Sequence, residues 1–138
     1  MKKYMLKRGI PLLLVVLMLS FPAVAFAGSY TSYINIKSSV HTNQNIVVSS
    51  TGKIIVNLSA AVHTTLDGDV LSTSPQTLKI SIYDEYTGSF VDSETYGPST
   101  SFQINETFYG LSTAHTYEVY FYNLTGTGYV HGPFSLSF

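Results

Sequence analysis

From Tyr33 onward, apolar and polar side chains alternate in short runs separated by turn residues. Ile34 and Ile36 share one parity within Tyr33–Lys37. Asn45–Val48 reads as the same edge strand resumed beyond a kink, and Thr51-Gly52 turns the chain. Ile54, Val56, Leu58, Ala60 and Val62 then keep a single parity from Lys53 to Val62. Period two puts successive side chains on opposite faces, the mark of a half-buried strand. This longest run is expected to lie deepest in the core. His63 to Pro75 reads as a polar loop. Leu78, Ile80 and Ile82 point inward in Thr77–Tyr83, and Thr87-Gly88 leads into Ser89–Tyr96, which Gly97-Pro98 ends. Ser101–Phe108 buries Phe102, Ile104 and Phe108, and Thr116–Asn123 buries Tyr117, Val119 and Phe121. After a Gly126-Thr127-Gly128 turn, Tyr129–Phe138 puts Phe134, Leu136 and Phe138 on one parity. Beyond residue 27 no stretch carries apolar residues at three-and-four spacing over three helical turns. Seven or eight short strands with turns between them predict a sandwich or a barrel.

The first 27 residues follow another pattern. Lys2, Lys3, Lys7 and Arg8 precede an apolar run from Ile10 to Leu19, and Ala25-Phe26-Ala27 places small residues two apart. This is the layout of a secretory signal peptide, with cleavage expected after Ala27. A spanning helix needs about 20 apolar residues, and this run is shorter and flanked by Pro11 and Pro22. The expected organisation is a leader at 1–27 and one β domain at 28–138, secreted, extracellular and without a membrane anchor.

Removing the leader changes the charge. It holds four of the seven basic residues and none of the eight acids, leaving three lysines and a net charge of −5. Such a domain has no basic footprint for nucleic acid. There is no cysteine, so disulfides, thiolate chemistry and Cys-based metal sites are excluded. Export without disulfides and a short lysine-led leader fit a bacterial source.

Gly110-Leu111, a short turn and Thr116-Tyr117 form a corner between two strands. A Tyr there resembles the tyrosine corner of Greek-key sandwiches, whose hydroxyl bonds backbone a few residues upstream. Together with Val119, Asn123 and the Gly-containing turn before the last strand, the segment from Ser101 to Phe138 resembles the end of a fibronectin type III or immunoglobulin-like module. The chain departs from that family in having no Trp and in carrying Thr113 where the family usually has Pro. The resemblance implies an all-β, single two-sheet Greek-key sandwich of seven or eight strands, immunoglobulin-like in order, and adhesive or spacer roles. It also implies that Thr77–Tyr83, Thr116–Asn123 and Tyr129–Phe138 lie side by side in one sheet. The ending Phe134-x-Leu136-x-Phe138 separately resembles the terminal signal of outer-membrane barrels. Eight membrane strands of about nine to eleven residues would leave such a barrel almost no loops.

Catalytic patterns are absent. His41, His63, His115 and His131 stand at no metal-ligand spacing, and neither Gly-x-Ser-x-Gly nor His-Glu-x-x-His occurs. No catalytic residue, cofactor or metal is expected. Asp84-Glu85 reads as a solvated entry to the Thr87-Gly88 hairpin. Asp67-Gly68-Asp69 reads as a turn, with a fragmentary likeness to a calcium loop. Asn57 and Asn105 read as outward strand residues rather than glycosylation acceptors.

What remains is tyrosine, ten of them after the leader. The side-by-side arrangement would expose Tyr83, Tyr120, Tyr122, Tyr129 and His131 on one face, beside Lys79 and Glu118. That face is the expected binding site of a non-catalytic binding or adhesion module. Its partner would be a protein or glycan on a cell surface, or a second copy of the chain. The alternatives are a self-assembling matrix or surface subunit, and a small secreted inhibitor or immunity-type protein.

Overall fold

The alternating pattern becomes nine strands in the computed structural model, which describes residues 28–68 and 70–138. The expected leader, 1–27, and Asp69 lie outside these residues. The strands are β1 (Ser29–Ile36), β2 (Ser39–His41), β3 (Ile46–Val47), β4 (Ile54–His63), β5 (Gln76–Asp84), β6 (Ser89–Ser99), β7 (Ser101–Phe108), β8 (Thr116–Asn123) and β9 (Tyr129–Ser137). They form two antiparallel sheets. One has the order β1-β9-β4-β7, and the other β2-β8-β5-β6, with β3 continuing beside β8. Among the described residues there is no helix. The molecule is an all-β sandwich with open edges, and the closed-barrel alternative is excluded.

The core is the inward parity of both sheets. Ile54, Val56, Leu58, Ala60 and Val62 on β4 meet Leu78, Ile80 and Ile82 on β5, with Phe102, Phe108, Tyr117, Phe121 and Leu136 around them. The inward residues expected on β4, β5, β7 and β8 are all buried. Removing this apolar surface from water, at roughly 25 cal/mol per Å², is what holds the two sheets together. β5 is set at least as deep as β4, because its outward Ser81 is also buried.

Four expectations about organisation need correction. First, Asn45–Val48 does not resume the first edge strand. The chain leaves β1, crosses to the other sheet, and lies along β8 as β2 and then β3. Buried Thr42 bridges the gap between them: its N–H donates to the Val119 carbonyl (2.9 Å) and its Oγ1 accepts from the Val119 N–H (3.1 Å). Second, Gly97-Pro98 does not end its strand, since β6 runs on to Ser99 and turns directly into β7. Third, the strand count is nine, the short β2 being the addition.

The fourth correction matters most for function. β9 does not lie beside β8. It sits between β1 and β4 in the opposite sheet. Two buried polar side chains redirect the chain. Gln76 Oε1 accepts from the N–H groups of Thr127 and Gly128 (3.1 and 3.2 Å), and its Nε2 donates to Thr127 Oγ1 (2.7 Å). Asn123 Oδ1 accepts from Thr125 and Gly126, while its Nδ2 donates to the Gly128 carbonyl (2.8 Å). The segment after β8 is thus held as a crossover between sheets rather than a hairpin.

β9 also carries Gly132-Pro133 in a central position. Its ladder with β4 runs from Ile55↔Ser137 to Leu58↔Phe134, lapses at the next two pairs, and resumes at Ala61↔His131. Proline has no N–H to give to a ladder. The strands press together beside the lapse: a Cβ on Gly132 would fall on the Ser59 carbonyl oxygen.

Candidate functional site

Alternation on β8 sends Glu118, Tyr120 and Tyr122 outward, opposite to Tyr117, Val119 and Phe121. On the neighbouring β5 the outward residues are Lys79, Ser81 and Tyr83. The register sets Lys79 against Tyr122, Ser81 against Tyr120 and Tyr83 against Glu118. β2 brings His41 opposite Tyr120, and β6 brings Phe90 opposite Tyr83. Four strands therefore deliver five rings to one outer face.

The rings pack around Tyr120. His41 stacks on it at 4.8 Å between centroids, Phe90 meets it edge-on at 5.3 Å, Tyr83 at 5.8 Å, and Tyr122 stacks at 6.0 Å. Tyr83 and Phe90 also meet, at 5.1 Å. Edge-to-face and offset contacts at these separations suit the ring quadrupole. Ser81, with no bulk of its own, lies buried under the rings.

Glu118 ties the polar ends together. Its Oε2 accepts from the Tyr120 hydroxyl (3.1 Å) and lies 3.2 Å from His41 Nδ1. Burial raises the Tyr120 pKa above the usual phenol value, and the hydrogen bond to Glu118 raises it further. Burial raises that of Tyr122 as well. Both phenols therefore stay neutral at physiological pH and present hydroxyls as donors and acceptors. Phe90, 52% exposed, is the most accessible hydrophobic ring of the group.

Of the five residues expected on one face, the structure brings together Tyr83, Tyr120 and Tyr122. Tyr129 and His131 are on the other sheet, because β9 crosses over. Lys37 Nζ lies 5.6 Å from the Tyr129 ring centre, and His131 packs edge-on against His63 at 5.5 Å, with Tyr33 beyond at 6.3 Å. His41 and Phe90 take their places. Sequence reasoning missed both, since β2 shows no alternation and β6 changes register with β5 between Ile82 and Tyr83.

The corner at the far end of β8 is as expected. Tyr117 is buried, its hydroxyl accepting from the Ser112 N–H (2.7 Å) and donating to the Ser112 carbonyl (3.3 Å), next to Leu111. Beside it, Asp84 departs from the solvated reading. It is buried, and Oδ1 accepts from the N–H groups of Tyr86 and Thr87 (2.9 and 3.3 Å) while Oδ2 lies 2.7 Å from His115 Nδ1. Tyr86 stacks on His115 at 4.5 Å. Burial pushes the Asp84 pKa up, but the His115 hydrogen bond and the two backbone N–H groups outweigh it and hold the carboxyl below its usual value. The Thr87-Gly88 hairpin is thus locked from inside.

Asp67 lies in the turn before Gly68. Among the described residues, no three His, Cys, Asp or Glu side chains gather where they could hold a metal ion. No protein-family model matches the chain, and no curated protein aligns with it.

Proposed function

We propose that this chain is a secreted bacterial binding module, non-catalytic, whose partner is a protein on a cell surface. It engages that partner through the aromatic face of β2, β8, β5 and β6. The observation that carries this reading is the convergence of five rings from four strands on the outside of a sheet whose inside already fills the core. Tyr and Phe dominate the desolvated centres of protein interfaces, and charged groups belong at their rims. Here Lys79 and Glu118 flank the rings. The corner at Leu111–Tyr117, with β4 paired to β7 and β5 to β8, supports an immunoglobulin-like or fibronectin type III-like relationship. The place of β9 marks a departure within it.

The test compares binding of purified protein to surface proteins of the producing cells, before and after protease treatment of those cells. Phe90→Ala and the double change Tyr120→Ser with Tyr122→Thr should each weaken binding, by about tenfold or more for the double change. Intact binding by a folded double variant would reduce the rings to cross-strand packing, worth roughly 0.2–1 kcal/mol per pair. Binding that survives protease would move the partner from protein to glycan.

A second reading, self-assembly, is favoured by β1. It is an edge strand of eight residues in unbroken register with β9, with no charge, proline or glycine in it. Edges left so plain pair readily with other chains. Sedimentation velocity over a wide range of concentration separates the readings, since assembly requires species that grow with concentration.

A further inference from the structure

We propose that the outer face of the opposite sheet, β1-β9-β4-β7, is a separate binding site for a neutral glycan chain. A shallow groove of about 750 Å³ crosses it, lined chiefly by Tyr33, Asn57, Ser59, Gln103, Asn105 and Ser135. Its floor lies over the lapse in the ladder at Ser59 and Pro133. That volume is typical of sites for organic ligands.

Three observations identify the ligand class. The first is charge. No Asp, Glu, Lys or Arg occupies an outward position on any of the four strands. Lys37, whose Nζ lies 5.6 Å from the Tyr129 ring centre at the start of β9, is outside the groove lining. An anionic polymer would find no cation in the groove lining, and a charged peptide no counterpart there.

The second is the arrangement of amides. Asn105 Nδ2 donates to Asn57 Oδ1 across the β4–β7 pair, and Gln103 Nε2 donates to Ser59 Oγ at 2.8 Å. Each bond fixes the plane of an amide. The second hydrogen of Asn105 Nδ2, the Asn57 NH₂ and the carbonyl oxygens of Asn105 and Gln103 are left over as donors and acceptors. A row of fixed donors alternating with acceptors complements vicinal hydroxyls, since each hydroxyl both gives and takes a hydrogen bond. Little side-chain freedom remains to be lost on binding.

The third is the ring at the rim. Tyr33 stands on the edge strand, 69% exposed. It offers a flat apolar surface to the C–H face of a sugar ring. Four strands span about 14 Å, wider than one sugar ring, and the groove is open at the surface. It therefore suits an internal stretch of a polymer rather than a free sugar. This site is independent of the aromatic face and does not rest on the protein partner proposed there.

Native affinity electrophoresis of the purified protein tests it, with hydroxyethyl cellulose, galactomannan, laminarin and soluble starch as neutral probes and alginate as the anionic one. At least one neutral polymer should retard the protein and alginate should not. Tyr33→Ala, at an exposed position that leaves the fold intact, should weaken retardation about tenfold, and Asn57→Ala should weaken it as well. Phe90→Ala, on the other sheet, should leave it unchanged. No retardation by any neutral probe overturns the proposal, as does equal retardation by alginate. So does a result in which Tyr33→Ala abolishes self-association while polymer binding persists, which would make the groove a contact between copies.

Discussion

The hydroxyl of buried Tyr117 fills a place between the N–H and the carbonyl of Ser112. Tyr117→Phe keeps the ring and removes only this pair of bonds. Stability should fall by about 1–3 kcal/mol, read as a lower urea midpoint with an unchanged slope. Asp84 makes a different prediction. Its folded pKa is lowered from 3.8, so its contribution is complete above that value and is lost as pH falls through the folded one. The urea midpoint should therefore drop as pH falls below about 4. Asp84→Asn should lower it at neutral pH and flatten the acid decline relative to wild type. Parallel acid profiles for the two proteins would show that the pair with His115 does not couple to folding.

At the scale of elements, β9 decides the architecture. Gly132 lies so close to β4 that Gly132→Ala must push the strands apart, at a cost of about 1–3 kcal/mol or more. An unchanged melting midpoint would mean that the close approach is not required. The same strand shows what the sequence made legible. Parity reveals which side chains face inward, and it did so for Phe134 and Leu136 as for Tyr117, Val119 and Phe121. Parity is silent on which sheet a strand joins, because both sheets bury the same face. The sheet was set by Gln76 and Asn123, and Asn123 carried a signal: it continues the inward parity of Tyr117, Val119 and Phe121 as a polar residue. A buried amide must find partners, and it finds them in the crossover. The reading of the aromatic face suffered in consequence. Tyr83, Tyr120 and Tyr122 were legible from alternation on β5 and β8. His41 and Phe90 were not, because their places depend on an extra edge strand and a register shift. The opposite groove was hidden too, since Asn57 and Asn105 read only as outward residues until pairing of β4 with β7 joined them.

For the whole molecule, the two sheets give two unlike outer faces, one ringed with aromatics and one uncharged and rich in amides. Under the two proposals above, the module would bridge two partners at once, since the faces point in opposite directions. Its first and last described residues bear on how it would carry load. Gly28 and Phe138 exchange backbone hydrogen bonds, at 2.7 and 3.0 Å, at the open end of the antiparallel β1–β9 pair. Tension applied between these two points pulls at right angles to the strands, along the direction of their hydrogen bonds. The bonds then break one pair at a time, like the teeth of a zip, instead of resisting together as they would in shear. Force spectroscopy with handles at residues 28 and 138 should find β1 peeling away at low force before the rest of the sandwich yields. The same protein gripped at Gly28 and Tyr129, at opposite ends of the β1–β9 pair, would load that pair in shear along the strands, and should hold far longer.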